Sequence, residues 1–182
     1  MFISKQIRER NIAEYLLYMW QVEDLLRANR LDIASIRRSI IEPYTSLTDA
    51  QREELEGWYS DLIQMMRDEC VEERGHLQVN KNVIIWLTEL HERLLHSQKF
   101  PYYSAAYYKA LPFIVELRAK GAHRDAPELE TCFDALYGAL MLRLQKRKIS
   151  DETLKALNAI STLLGMLSDY YIKDKRGELE IE

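Results

Sequence analysis

One acidic residue falls on a helix face that otherwise carries apolar side chains. At about 100° per residue, Glu23 lies between Leu16 and Met19 on the predicted first helix, and Arg27 follows one turn later. Because burying a bare carboxylate is costly, Glu23 should be paired or hydrogen-bonded. We expect an i,i+4 ion pair between Glu23 and Arg27, and the alternative is an acid that faces a cavity.

A second group of acids crowds the end of a later predicted helix. Glu69 and Glu73 continue its apolar stripe at the C-terminal end, where the helix dipole disfavours negative charge. A cation should therefore compensate them. Arg67 and Arg74 are the local candidates, and a metal ion held by Glu69, Glu73 and His76 is the alternative.

The spacing of possible ligands argues against that metal ion. Di-iron bundles use two Glu-x-x-His pairs, and this chain has one such spacing, Glu73 to His76. His91 and His96 are five residues apart, which places their imidazoles about 140° apart on a regular helix. We expect no native metal site and no cofactor.

The segment 100–113 has the most distinctive composition, with four tyrosines, two phenylalanines and two prolines. Tyr103 and Tyr107 belong to its apolar stripe, and Pro112 predicts a kink. Such tyrosines can line a small-molecule pocket, although filling a helical core is the more common role. The inward acids, these tyrosines and a histidine at an apolar edge give the candidate pocket residues Glu23, Arg27, Glu69, His91, Tyr103 and Tyr107.

Catalytic sequence motifs are missing from the chain. It contains no G-x-S-x-G elbow, P-loop or G-x-G-x-x-G turn. Cys70 and Cys132 sit in helical patterns beside apolar residues, which predicts small core side chains in a reducing compartment. We assign no catalytic residue, and the sequence favours a non-enzymatic protein.

Two basic clusters raise nucleic-acid binding as a third hypothesis. Arg37 and Arg38 lie on a short predicted helix, and residues 143–148 carry four cations at the end of another. No recognition-helix motif or aromatic stacking platform accompanies them, so we interpret them as solvated or helix-capping residues.

Apolar residues recur with a period near 3.6 between the few glycines and prolines. Asp32 is a predicted N-cap, Thr48 and Gln51 form a predicted capping box, and Ser150 precedes the last helix. The first predicted helix spans 4–27, the short helix 33–42 and the last helix 150–173. Gly75 and Gly121 are expected to end two of the helices between them, and Asp125 to cap the helix that follows Gly121.

The pattern predicts an all-α, antiparallel helical bundle of five long helices plus one short helix. We expect residues 1–182 to form a single domain, with 174–182 as a frayed, charged tail. Net charge is −4 with 47% hydrophobic residues, and no apolar stretch approaches the roughly 20 residues that span a bilayer. These features predict a cytoplasmic protein that does not bind membranes.

Ile85, Leu142 and Met166 fall on the polar side of their own helices, which makes them interface candidates. The leading functional hypothesis is therefore a protein-interaction module whose partner is another protein or a second copy of the chain, in preference to a small molecule. The alternative is a small-ligand or metal-binding bundle that uses the inward acids and tyrosines.

The run Ile12-Ala-Glu-Tyr-Leu-Leu-Tyr-Met-Trp-Gln-Val-Glu-Asp-Leu-Leu-Arg-Ala28 resembles the opening of an uncharacterised family of Bacteroidetes helical proteins of this length. The resemblance implies an all-α fold over essentially the whole chain and a bacterial origin. The family is a domain of unknown function, so it carries over no reaction, ligand or site residue.

Overall fold

The computed structural model describes residues 2–120 and 126–181. All regular secondary structure in these residues is helical. The helices are α1 (Phe2–Arg10), α2 (Ile12–Ala28), α3 (Ile33–Ile36), α4 (Asp49–Asp68), α5 (Gln78–His96), α6 (Pro101–Lys120), α7 (Glu128–Leu144) and α8 (Asp151–Lys175). A π-helical turn, Arg37–Ile41, continues directly from α3. The all-α prediction is confirmed, while the predicted ends at Gly121 and Asp125 lie outside the described residues.

The first predicted helix is two helices in the structure, separated at Asn11. The side chain of Asn11 accepts a hydrogen bond from the backbone N–H of Ala13 at 3.0 Å, as an N-cap does. The neighbouring N–H of Ile12 donates to the hydroxyl of Ser168 at 3.0 Å. Asn11 and Ser168 thus satisfy the first backbone donors of α2, a break that apolar periodicity does not reveal.

Helix starts follow the predicted capping residues. Asp32 accepts hydrogen bonds from the N–H groups of Ala34 and Ser35 at the start of α3. Thr48 and Gln51 form the reciprocal capping box of α4, and the hydroxyl of Ser150 accepts from Thr153 N–H in α8. The polar side chain before the apolar periodic run determines where each of these helices begins.

The end of α4 lies earlier than predicted, at Asp68 and not at Gly75. Cys70 adopts φ +54° just beyond it, while Val71 N–H donates to the Met66 carbonyl and Cys70 N–H to the Arg67 carbonyl. These two bonds form a Schellman motif, which normally uses glycine. The prediction of Cys70 as a core residue is wrong, because its side chain is exposed, whereas Cys132 is buried as expected.

The chain forms two compact units. The first contains the described residues up to Glu9 together with Glu14–Asn82, and the second contains Arg10–Ala13 and the described residues from Val83 onward. Leu16, Met66 and Leu77 are among the fully enclosed side chains of the first unit. In the second, α6, α7 and α8 pack on one another around Tyr103 and Phe133.

The single domain predicted for residues 1–182 stays a prediction. The charged tail begins within the last turn of α8, and the Ser97 hydroxyl donates to the Ile181 carbonyl at 2.9 Å. No described helix is long and apolar enough to span a membrane.

Candidate ligand-binding site

The first unit contains a cavity of about 590 Å³ between α2, the π-helical turn and α4. We call it the tyrosine cavity. Its apolar wall consists of Val22, Leu25, Ile40, Leu47 and Leu55. Its polar lining consists of Tyr18, Gln21, Tyr44, Gln51, Glu54 and Tyr59. Apolar walls with a few convergent polar groups and a volume of this size are typical of small-molecule sites.

Two helix faces position most of this lining. Tyr18, Gln21 and Leu25 follow one another at intervals of three and four residues on α2, so they share one side of the helix. On α4, Gln51, Leu55 and Tyr59 recur every four residues. These two sets of residues line the same cavity because α2 and α4 pack with these faces toward each other.

The connection between the π-helical turn and α4 completes the cavity. It contributes Tyr44, whose side chain is 58% exposed, and Leu47, which is half-buried. The backbone carbonyl of Tyr44 accepts a hydrogen bond from the guanidinium of Arg52 at 3.3 Å, which ties this connection to α4. Tyr44 and the exposed Glu54 therefore lie where the cavity meets solvent.

The three tyrosine hydroxyls of the cavity are close enough to affect one another electrostatically. Burial, with smaller contributions from the neighbouring phenols of Tyr18 and Tyr44, raises the pKa of Tyr59 to about 12. Burial, and to a smaller extent the neighbouring phenol of Tyr44, also raises the pKa of Tyr18. Tyr18 and Tyr59 are accordingly neutral hydrogen-bond donors at physiological pH.

None of these three hydroxyls forms a hydrogen bond with another residue in the described part of the chain. Tyr59 is a buried residue, but its hydroxyl is not among the buried side-chain atoms that lack a partner, so the hydroxyl reaches the open space of the cavity. Water or a ligand inside the tyrosine cavity can therefore hydrogen-bond to it.

Elsewhere in the first unit, Glu23 is buried and bound by three groups, none of them Arg27. Its carboxylate lies 2.6 Å from Nδ1 of His76 and accepts hydrogen bonds from Leu77 N–H at 2.9 Å and the Asn80 amide at 2.7 Å. Trp20 stacks on the His76 ring with centroids 4.1 Å apart. Glu23 thus satisfies backbone and side-chain donors at the N-terminal end of α5.

The predicted Glu23–Arg27 ion pair is wrong. Arg27 instead pairs with Asp24 at 2.9 Å and donates to the backbone carbonyls of Val71 and Gly75. The two side chains are one turn apart on α2, but the segment after α4 offers each of them partners that local spacing could not reveal.

Glu69 also acts on α5. It is the C-cap residue of α4, and its carboxylate accepts a hydrogen bond from Gln78 N–H at 2.6 Å. Two acids, Glu23 and Glu69, therefore meet the positive end of the same helix dipole. Among the residues that the structure describes, no group of three His, Cys, Asp or Glu side chains could hold a metal ion, so Glu69, Glu73 and His76 do not form one.

The predicted histidine and tyrosines of the second unit form a network around the buried side chains of His91 and Tyr103. A hydrogen bond of 2.5 Å joins Nδ1 of His91 to the Tyr103 hydroxyl, and the edge of the Tyr107 ring packs against His91. Tyr107 donates to Glu128 at 3.0 Å. Burial lowers the pKa of His91 and raises that of Tyr103, and burial with the Glu128 hydrogen bond raises the pKa of Tyr107 to about 12.

None of the six predicted pocket residues lines the tyrosine cavity. The predicted residues are polar or aromatic side chains on the main apolar helix faces, whereas the cavity lies against a second side of α2 and is completed by α4 and the connection before it. Tyr18 and Leu25, seven residues apart and outside the main apolar stripe, are the signal that could have indicated a second covered face.

The surface candidates differ in exposure. Ile85 is 48% exposed, while Leu142 and Met166 are half-buried. Of the basic residues, Arg37 forms ion pairs with Glu42 at 3.5 Å and Glu56 at 3.2 Å. That guanidinium is therefore engaged by two carboxylates.

A family profile described as Domain of unknown function (DUF4924) matches residues 1–178, so the chain belongs to this family. No curated protein and no solved structure matches it. The expected membership in a family of unknown function is confirmed.

Proposed function

We propose that this member of the DUF4924 family binds a small organic molecule with a mainly apolar body in the tyrosine cavity. The observation that carries the proposal is the combination of a cavity of about 590 Å³ with three tyrosine hydroxyls that have no partner among the described residues. Apolar side chains would bind the body of the ligand, and the phenols would fix its orientation. The proposal is one of binding, and it assigns no reaction.

A neutral, apolar fluorescent probe, N-phenylnaphthylamine, tests this proposal. We expect saturable fluorescence enhancement on titration, and a loss of affinity of at least about tenfold in Leu47→Trp, whose indole would fill the cavity. Leu47 is half-buried in a connection, so the larger side chain should be tolerated. Leu144→Trp, at an exposed position of the second unit, is the matched control and should leave binding unchanged.

Equal binding by wild type, Leu47→Trp and Leu144→Trp would show that the probe binds elsewhere and would overturn the proposal. Circular dichroism of the three proteins distinguishes a filled cavity from a misfolded chain. Retained helicity is required before a loss of binding supports the cavity.

Self-association is a second candidate function, and the exposure of Ile85 favours it. A β-branched apolar side chain that is 48% exposed on α5 offers a contact for a second copy of the chain or another protein. This candidate is compatible with ligand binding, because Ile85 does not line the tyrosine cavity.

A further inference from the structure

The charge of the tyrosine cavity restricts the ligands that it can hold. Its lining contains one carboxylate, Glu54, and no lysine, arginine or histidine. Arg52 contacts the backbone of Tyr44 but is not part of the lining. A carboxylate or phosphate ligand would lack the charge-assisted partners that buried anions require, and Glu54 would repel it.

The aromatic lining adds a second, independent feature. Three tyrosine rings, on α2, α4 and the connection between them, border the same space. The face of an aromatic ring attracts a cation, and several rings around one site are how proteins bind alkylammonium groups. The remaining wall is aliphatic, which suits the alkyl substituents of such a group.

We infer that the ligand of the tyrosine cavity is an organic cation, an alkylated ammonium compound held by the aromatic rings of Tyr18, Tyr44 and Tyr59 and by the charge of Glu54. The inference rests on the proposed function and adds the chemical class of the ligand. Part of the charge stabilisation comes from the rings, and part from the carboxylate at the solvent side of the cavity.

Three probes of similar shape and different charge separate this inference from simple apolar binding. Choline is a cation, and neohexanol is its neutral carbon analogue. The anion is tert-butylacetate, the carboxylate of 3,3-dimethylbutanoic acid, which has the same alkyl group as neohexanol. Each is titrated into the protein, with displacement of N-phenylnaphthylamine as the readout. We expect choline to bind at least about tenfold more tightly than neohexanol, and tert-butylacetate to bind most weakly.

Substitutions at the cavity test whether the preference for a cation comes from the tyrosine rings and from the charge of Glu54. Tyr59→Leu should reduce the ratio of choline to neohexanol affinity, whereas Tyr59→Phe, which keeps the ring, should retain most of it. Glu54→Gln should also reduce the ratio. Glu53→Gln removes the same charge from the neighbouring exposed position outside the lining and should change it little.

Other results of these titrations would overturn either the cation inference alone or the proposed function as well. Equal affinity for choline and neohexanol, tighter binding of tert-butylacetate, or probe displacement by none of the three would overturn the cation inference while the cavity proposal stands. If N-phenylnaphthylamine binding is insensitive to Leu47→Trp, the proposed function fails, and the inference fails with it.

Discussion

At the scale of single residues, buried polar side chains here bind partners that lie far away in sequence. Glu23 illustrates this, because its three partners, His76, Leu77 and Asn80, are more than fifty positions further along the chain. The acid was predictable as a buried group from its helix face, but its partners were not. The energetic role of Glu23 is to satisfy donors at the start of α5.

Glu23→Leu should therefore destabilise the protein by about 2–5 kcal/mol, since it leaves the buried amide of Asn80 and the Leu77 N–H without their acceptor. Chemical denaturation measures the free energy of unfolding. Glu89→Leu, at an exposed position of α5, is the matched control and should change stability by less than about 0.5 kcal/mol. Similar losses in both variants would contradict the role given to Glu23.

His91 predicts a dependence of stability on pH. Burial lowers its pKa in the folded state, so the unfolded chain binds a proton more readily. The contribution of neutral His91 is complete above the ordinary histidine pKa of about 6.5 and decreases as pH falls below it. His91→Gln should flatten the decrease of unfolding free energy between about pH 7 and 5, measured by denaturation at a series of pH values.

The control for His91 is His96→Gln, five residues further along α5 at an exposed position. A flattening that appears in His91→Gln and not in His96→Gln assigns the pH dependence to the buried histidine. An unchanged slope in His91→Gln would show that His91 is protonated as easily in the folded protein as in the unfolded chain.

At the scale of elements, helix starts and helix ends follow different rules in this chain. The starts of α3, α4 and α8 use Asp, Thr and Ser caps that are visible in sequence. The ends of α4 and α7 place Cys70 and Lys146 at φ +54° and +55°, while α8 uses Gly177 at φ +69°. Non-glycine residues in this region are strained, because their Cβ approaches the backbone.

Lys146→Gly should consequently stabilise the protein by about 1 kcal/mol, because the Schellman bonds remain and the Cβ strain disappears. Thermal unfolding monitored by circular dichroism gives the change. Lys146→Ala keeps a Cβ and should gain little. Lys148→Gly, in the connection beyond the motif, should not raise stability, and a gain there equal to that of Lys146→Gly would contradict the explanation.

At the scale of the whole molecule, the surface residue Ile85 tests whether the chain associates with itself. We expect wild-type protein to show a concentration-dependent dimer in sedimentation velocity, and Ile85→Asp to weaken it at least about tenfold. Val115→Asp changes another exposed apolar position and serves as control. A wild-type protein that is monomeric at every concentration would remove self-association from the possible functions.

The sequence by itself determined the all-α class, the caps of several helices and the burial of residues such as Glu23, Tyr103 and Cys132. These properties depend on short-range periodicity and on side chains that bind backbone groups within three or four residues. One or two turns of helix contain all the information that such predictions need.

The tertiary structure alone decided the partners of Glu23 and Arg27, the early end of α4 and the existence of the tyrosine cavity. The cavity requires α2 and α4 to face each other with Tyr18 and Tyr59 on the shared side, and the connection to bring Tyr44 between them. Packing between helices distant in sequence sets that geometry, and no local pattern encodes it. The residues of the proposed site were therefore visible in the sequence only as ordinary members of two helices and a connection.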